Sequence, residues 1–352
     1  MYKAIACTEI GVRKPSNQDS CCLMEAETSY GPAMLMAVCD GVGGLEHGEV
    51  ASAVAVSCLI DWFEQQFPVF IRYNSEAGIV NLGGLRGVFA QLFGEMNAKV
   101  AKIAQEREQR MATTCTCVLV MQGSAAIGHV GDSRAFLVRD GEALQLTRDQ
   151  SLVAREVQRG NLTEEQAARH PQRNILLQAL GAQSEIEPFV DVVHVKQGDC
   201  FLTCCDGFYH EIPNRVLSET FANASALTES ELRNRCLGLI RCAIDAGETD
   251  NITVVCGVLP GGAGRMADAD KRGAEDDETA LLDDPDDDGT ALLGVESDAG
   301  TDDSLPSSQS EHVEPGHPLL DDDIPTGALS EGCDETVDLT ESLDETVRDE
   351  DR

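Results

Sequence analysis

Ala37-Val38-Cys39-Asp40-Gly41-Val42-Gly43-Gly44 joins an apolar run to an aspartate followed by three glycines within four residues. The run reads as a buried strand that delivers a carboxylate into a loop. Glycine removes side chains beside Asp40, so backbone carbonyls and a hard cation such as magnesium or manganese can approach closely. One carboxylate is too few to hold such an ion. Three other apolar runs end in the same way, at Gly131-Asp132-Ser133, Cys205-Asp206-Gly207 and Thr249-Asp250-Asn251, and Asp19 stands where a polar loop meets another strand. Any one of these alone reads as an acid in a turn, which aspartate favours. As a set they point to strand ends gathered at one edge of an antiparallel sandwich.

Outward from this stretch, residues 2–8 and 20–25 read as strands on either side of a polar loop. Residues 49–67 carry apolar side chains at helical spacing and are expected to end at Pro68. A second long helix is expected over 85–110. From Thr113 the period becomes that of strands: 115–121, 125–130, 135–139 and 144–146, joined by Gly-containing turns. Residues 150–180 are polar, helical in pieces, and read as a mobile flap beside a site. Strands at 190–195 and 200–204, helices at 207–221 and 230–246, and a closing strand at 252–259 complete the pattern. Helices grouped in pairs beside runs of antiparallel strands predict an α+β fold, a layered sandwich and not a βαβ repeat. The glycines after Asp40 do not form a GxGxxG or a lysine-bearing phosphate loop, which argues against a dinucleotide or NTP site.

The 352 residues carry a net charge of −36, unevenly spread. Residues 1–259 hold 32 acidic and 21 basic side chains, whereas residues 260–352 hold 30 acidic and 5 basic and no aromatic residue. We therefore expect a catalytic domain over 1–259 and a disordered acidic tail over 260–352, since so polar a segment cannot bury enough apolar surface to offset the entropy of ordering. Such a negative chain has no electrostatic reason to bind nucleic acid or an anionic membrane. No stretch approaches the ~18 apolar residues of a membrane span, and the start of the chain lacks a signal-peptide pattern, so a cytoplasmic protein is expected. The 14 cysteines mostly lie inside apolar runs, as small core residues do, without a CxxC pair.

These blocks, taken in order, closely resemble the metal-dependent PPM family of serine/threonine protein phosphatases in its bacterial form. The resemblance spans about residues 2–259 and rests on Gly11-x-Arg13 with Asn17-Gln18-Asp19, Asp40-Gly41-Val42-Gly43-Gly44 running on to Gly48-Glu49-x-Ala51-Ser52, and Gly131-Asp132-Ser133-Arg134. It continues through Leu146-Thr147-Arg148-Asp149-Gln150-Ser151, Cys205-Asp206-Gly207-Phe208 and Asp250-Asn251-Ile252-Thr253. It implies a four-layer αββα sandwich with two central antiparallel sheets, and hydrolysis of phosphoserine and phosphothreonine with two Mn2+ or Mg2+ ions and a more weakly held third. By this resemblance Asp40 bridges two ions, the Gly41 carbonyl adds a ligand, Asp206 and Asp250 complete one ion's shell, Asp19 holds a metal-bound water, and Asp132 belongs to the third ion. Two such cations can activate a water and neutralise charge during in-line attack on phosphorus. Arg13 is expected to bind phosphate in preference to Lys14, because its planar fork grips two oxygens. His47 is the candidate general acid, the alternative being an exposed histidine at a helix entry. Gln18 stands where the family usually has a glutamate, and Leu45 where bacterial members often have a histidine. A rival reading, a pseudophosphatase that only binds phosphoproteins, is disfavoured by the retention of Asp40, Asp206 and Asp250.

In the tail, Asp277-Glu278-Thr279-Ala280, Asp288-Gly289-Thr290-Ala291, Asp334-Glu335-Thr336-Val337 and Asp344-Glu345-Thr346-Val347 repeat a threonine between acids and a small apolar residue. They resemble acidic sites that bacterial serine/threonine kinases phosphorylate and forkhead-associated domains bind. The expected partners are therefore phosphorylated proteins and a cognate kinase; the tail reads either as an acidic solubilising segment or, through Thr279, Thr290, Thr336 and Thr346, as a docking segment for forkhead-associated domains.

Overall fold

The computed structural model describes residues 2–42 and 47–260; the acidic segment and its threonine motifs lie outside the described residues. The chain opens with strands β1 (Lys3–Glu9), β2 (Asp19–Thr28) and β3 (Gly31–Asp40), followed by helices α1 (Gly48–Asp61) and α2 (Phe67–Tyr73). A small hairpin of β4 (Ser75–Glu76) and β5 (Ile79–Val80) leads to helix α3 (Leu85–Glu106). Strands β6 (Cys115–Met121), β7 (Ser124–Val130), β8 (Arg134–Arg139) and β9 (Glu142–Gln145) form the meander, and short helices α4 (Leu152–Gln158) and α5 (Glu164–Ala168) occupy the flap segment. Strands β10 (Phe189–His194) and β11 (Cys200–Cys204), helices α6 (Asp206–Tyr209), α7 (Asn214–Phe221) and α8 (Glu229–Ala246), and strand β12 (Ile252–Val258) complete the order.

The long strands form two five-stranded sheets, ordered β1-β12-β11-β8-β9 and β10-β7-β6-β3-β2, with antiparallel neighbours throughout. Helices α1 and α3 cover the second sheet, and α7 and α8 cover the first, giving the expected αββα layering. Strand β3 shows why its sequence is an unbroken apolar run. Met34, Met36 and Val38 enter the core between the sheets, while Ala33, Leu35, Ala37 and Cys39 enter the core beneath the helices. With both faces covered, the usual in-out alternation disappears. Gly257 of β12 lets the sheets close: a Cβ there would sit 2.5 Å from Met34 Cε and Met36 Sδ.

Pro68 does not end the first helical stretch. Residues Trp62–Gln66 form a π-helical turn that runs without a gap from α1 into α2, so Pro68 lies inside a continuous helical run, and the widened turn, with Phe67 N–H on the Trp62 carbonyl, accommodates a residue that has no N–H to donate. The wide turn keeps Trp62, Phe63 and Phe67 buried together, with the Phe63 and Phe67 rings stacked at 5.2 Å. Each buried ring contributes on the order of 5 kcal/mol before the entropy of ordering, enough to override a local breaker. The expected helix over 207–221 is also broken: α6 stops at Tyr209, and α7 begins after Pro213, which holds an extended backbone as its N-cap. The second long helix ends at Glu106, short of the expected 110. The flap is tied at its base by Leu152 N–H to the Ile175 carbonyl (2.8 Å) and Leu177 N–H to the Gln150 carbonyl (2.7 Å).

Candidate active site

Strand pairing brings the acids together. In the β2–β3 register Asp19 lies directly opposite Asp40. The end of β3 is fixed by Thr114, whose hydroxyl accepts from Asp40 N–H (3.0 Å) and whose N–H donates to the Asp40 carbonyl (2.8 Å). Asp206 opens α6 straight after β11, and Asp250 lies two residues before β12, the neighbour of β11 in the sheet. Glu248 accepts from the N–H groups of Thr249 (2.6 Å) and Asp250 (2.9 Å), fixing that turn. Asn251 ties the loop before β2 to the same corner, accepting from Gln18 N–H (2.9 Å) and donating to the Ile10 carbonyl (2.8 Å). Two glycines permit the crowding. A Cβ on Gly41 would come 2.5 Å from the Gly48 backbone, and one on Gly207 would collide with the Asn251 carbonyl.

The resulting cluster of Asp19, Asp40, Asp132, Asp206 and Asp250 is electrostatically uncomfortable by itself. Both carboxyl oxygens of Asp19 and Oδ1 of Asp206 are buried without a hydrogen-bond partner. Burial, then the charges of Asp19, Asp206, Asp132 and Asp250, push the Asp40 carboxyl far above its ordinary value. Burial likewise raises Asp132, with Asp206 and Asp149 adding to it, and raises Asp206. Asp19 is pushed up to about 6 by burial first, with the Thr253 and Cys205 side chains working against the rise and Asp206 and Asp250 adding to it. Orphaned buried carboxylates are costly unless a proton or a cation compensates them. Cys205 Sγ lies with the Asp19 and Asp40 oxygens inside 4.8 Å, but burial and those two acids raise its pKa strongly, so it stays a neutral thiol. The donor set is thus all oxygen, which fits hard divalent cations such as manganese or magnesium.

Lys14, and not Arg13, faces the acids. Its Nζ lies 2.5 Å from Asp250 Oδ1. Burial works against its charge, but Asp250, Asp40 and Asp206 together raise its pKa. Arg13 is exposed and makes no ion pair or hydrogen bond among the described residues. The same loop is packed on the Asp250 turn at Gly11, whose left-handed backbone (φ 79°) leaves no room for a Cβ against the Asp250 carbonyl. His47 starts α1 in a left-handed conformation, 39% exposed, with Nδ1 3.2 Å from Glu49 Oε1. Glu49 in turn meets Gln18 Nε2 at 3.4 Å. His210, absent from the sequence reading, lies 4.0 Å from Asp206 and 3.8 Å from Glu248. Its signal was the four-residue step from Asp206 at a helix start, which puts both on one face.

The layered fold and the carboxylate corner define the class of metal-dependent phosphatases. The protein phosphatase 2C family profile matches residues 12–236, and the chain belongs to that family. It is 31% identical over 249 residues to the protein phosphatase PhpP of Streptococcus pneumoniae, spanning 70% of this chain and 93% of that one. It is 31% identical to the serine/threonine protein phosphatase PstP of Mycobacterium tuberculosis over 70% of this chain and 42% of PstP. Among solved structures, the serine/threonine phosphatase of S. agalactiae superposes with a TM-score of 0.62 at 31% identity, covering 74% of this chain and all of that one. The PstP catalytic domain in complex with two manganese ions superposes with a TM-score of 0.57 at 27% identity, covering 74% and 98% of the two chains.

Proposed function

We propose that this chain is a divalent-metal-dependent protein phosphatase that hydrolyses phosphoserine and phosphothreonine in other proteins. The observation that carries this reading is the set of buried, partnerless carboxylate oxygens on Asp19 and Asp206 beside Asp40. Asp40, with the Gly41 carbonyl, would be shared between two Mn2+ or Mg2+ ions, Asp206 and Asp250 would complete one of them, Asp19 would act through water, and Asp132 would serve a third. Such ions, when bound, polarise the phosphoryl group and supply an activated water at neutral pH. The chain's own part is to hold the acids in fixed register and to present Lys14 to the phosphate as a point charge. No cysteine is needed as a nucleophile, and the raised pKa of Cys205 unsuits it for that role. His47, tied to Glu49, is the weaker of the chain's candidates for protonating the leaving oxygen, because His210 stands beside Asp206.

The substrates are phosphorylated proteins, and the enzyme opposes a serine/threonine kinase. The threonines at 279, 290, 336 and 346 are kinase targets that recruit forkhead-associated domains. Among the described residues no helix is long and apolar enough to cross a membrane, in keeping with action in the cytoplasm. The test is phosphate release from a phosphothreonine peptide and from an aryl phosphate, with manganese and with chelator. Turnover that survives chelation, or that appears on neither substrate with manganese, would refute the proposal.

A further inference from the structure

We infer that Tyr209 is a positioning residue that ties Asp132, the acid of the third ion, to the helix that begins at Asp206, so that filling the dinuclear pair tightens the third site. This rests on the metal assignment above and adds to it a coupling between the sites. Helix α6 runs only from Asp206 to Tyr209, and each of its residues has a fixed place. Asp206 Oδ1 is buried without a partner. A Cβ on Gly207 would collide with the Asn251 carbonyl, and Phe208 is sealed in the core. Tyr209, three residues on from Asp206, is buried as well.

Two residues of the Asp132 loop clasp the Tyr209 side chain. Its hydroxyl donates to the Asp132 carbonyl at 3.0 Å, and the Arg134 guanidinium lies 3.7 Å from the centre of its ring. Arg134 is held in turn by Asp149, through Nε (2.9 Å) and Nη2 (2.7 Å). The loop's other bonds hold the residues on either side. Gln150 donates its N–H to the Gly131 carbonyl (2.7 Å) and accepts from Gly131 N–H (2.9 Å), and the Ser133 hydroxyl meets that of Thr114 at 2.7 Å. Among the described residues, the Asp132 carbonyl accepts from Tyr209 alone.

A buried carbonyl is costly to leave unpaired, so the backbone at Asp132 follows Tyr209, and Tyr209 follows α6. Asp206 Oδ1, otherwise buried alone, gains a partner when an ion binds, and the start of the helix is steadied. Asp132 then has less freedom left to lose when its own ion arrives. The third site therefore tightens once the pair is filled, a coupling that needs no change of shape.

The test titrates the full chain, freed of metal, with Mn2+ and follows unbound manganese by its electron paramagnetic resonance signal. Wild type should show a tight pair of sites and one weaker site, and Asp132→Asn should lose the weaker one. Tyr209→Phe keeps the ring under Arg134 and removes only the hydroxyl. It should weaken the third site roughly three- to tenfold, the worth of one hydrogen bond, and leave the tight pair as it was. The manganese concentration for half-maximal aryl phosphate turnover should rise by a similar factor. No weakening of the third site, or an equal weakening of all sites as a merely structural loss would give, overturns the inference. Should Tyr209→Phe fail to fold, hydrogen exchange decides: in Asp132→Asn, filling the tight pair should slow exchange of segment 131–134 several-fold, and no slowing overturns the inference. A wild type without a weaker site, or a weaker site that survives in Asp132→Asn, refutes the third-ion assignment itself and is told apart by that result.

Discussion

Stripping divalent cations from the protein turns its acid corner against the fold, and Asp19 sets the scale. Its carboxyl, ordinarily titrating at 3.8, is pushed up to about 6 by burial and the neighbouring carboxylates. At 1.36 kcal/mol per unit, that shift amounts to about 3 kcal/mol. The sign follows from proton counting. Between pH 3.8 and about 6 the folded state binds more protons at this site than the unfolded chain, so stability falls as pH rises through that window and the full penalty stands above it. His129 works the other way in nearly the same range. Burial depresses its imidazole from 6.5 to about 4, so the unfolded chain takes up its proton first and stability falls as pH drops from 6.5 towards 4. Asp40, Asp132 and Asp206, raised like Asp19, slope the same way as it does, so the wild-type profile is a sum over the corner and does not report Asp19 alone. The informative quantity is the difference between Asp19→Asn and wild type, measured by urea denaturation of chelated protein across this range. The variant should be the more stable by about 3 kcal/mol near pH 7.5, and the advantage should vanish near pH 4. Saturating manganese should reverse the order, because the ions then prefer the charged carboxylate. A difference that does not change with pH, or a chelated variant less stable than wild type near pH 7.5, would refute the reasoning.

Asp40→Asn should lower turnover of peptide and aryl phosphates alike by roughly a hundredfold or more, since even indirect partners of a metal site are worth ten- to a hundredfold; wild-type turnover at saturating manganese would exclude a shared ligand at this position. Lys14→Ala should raise KM for phosphopeptide roughly tenfold with a smaller change in kcat, the loss expected of one charged contact, whereas Arg13→Ala should leave both near wild type. The reverse pattern in steady-state kinetics would restore Arg13 as the phosphate ligand. Gly257→Val places new atoms against Met34 and Met36 and should destabilise the fold by about 1–3 kcal/mol in thermal unfolding, without changing the manganese requirement.

Much of this architecture was legible because the sheets bury both faces of their central strands. That burial writes β3 from Ala33 to Cys39, and β6 from Cys117 to Met121, as unbroken apolar runs, and the abrupt change to Asp40-Gly41 marks where β3 reaches the edge. The layering and the five acids followed from the same pattern. What escaped the sequence depended on backbone geometry or on distant packing. Nothing local says that position 14 and not 13 turns inward; that shows only where the loop meets the Asp250 turn and Lys14 pairs with Asp250. Pro68 misled because a π turn carries the helix past it, and the ring cluster around Trp62 accompanies that turn. His210 carried one local signal, its four-residue step from Asp206, but its place beside Glu248 appears only once α6 and the β12 turn meet.

The pairing of β1 with β12 has a consequence for how the molecule is made. The first strand of the chain finds its partner only in the last strand of the domain, with Lys3 opposite Val258. During synthesis β1 must therefore wait for nearly the whole domain to leave the ribosome, and such long-range closure is a slow step that leaves a strand edge open meanwhile. Asp250 arrives with that same final strand. Nascent or prematurely terminated chains thus lack one of the five acids at the corner for as long as they lack the closing strand, so that completion of the fold and completion of the cation-binding corner become a single event.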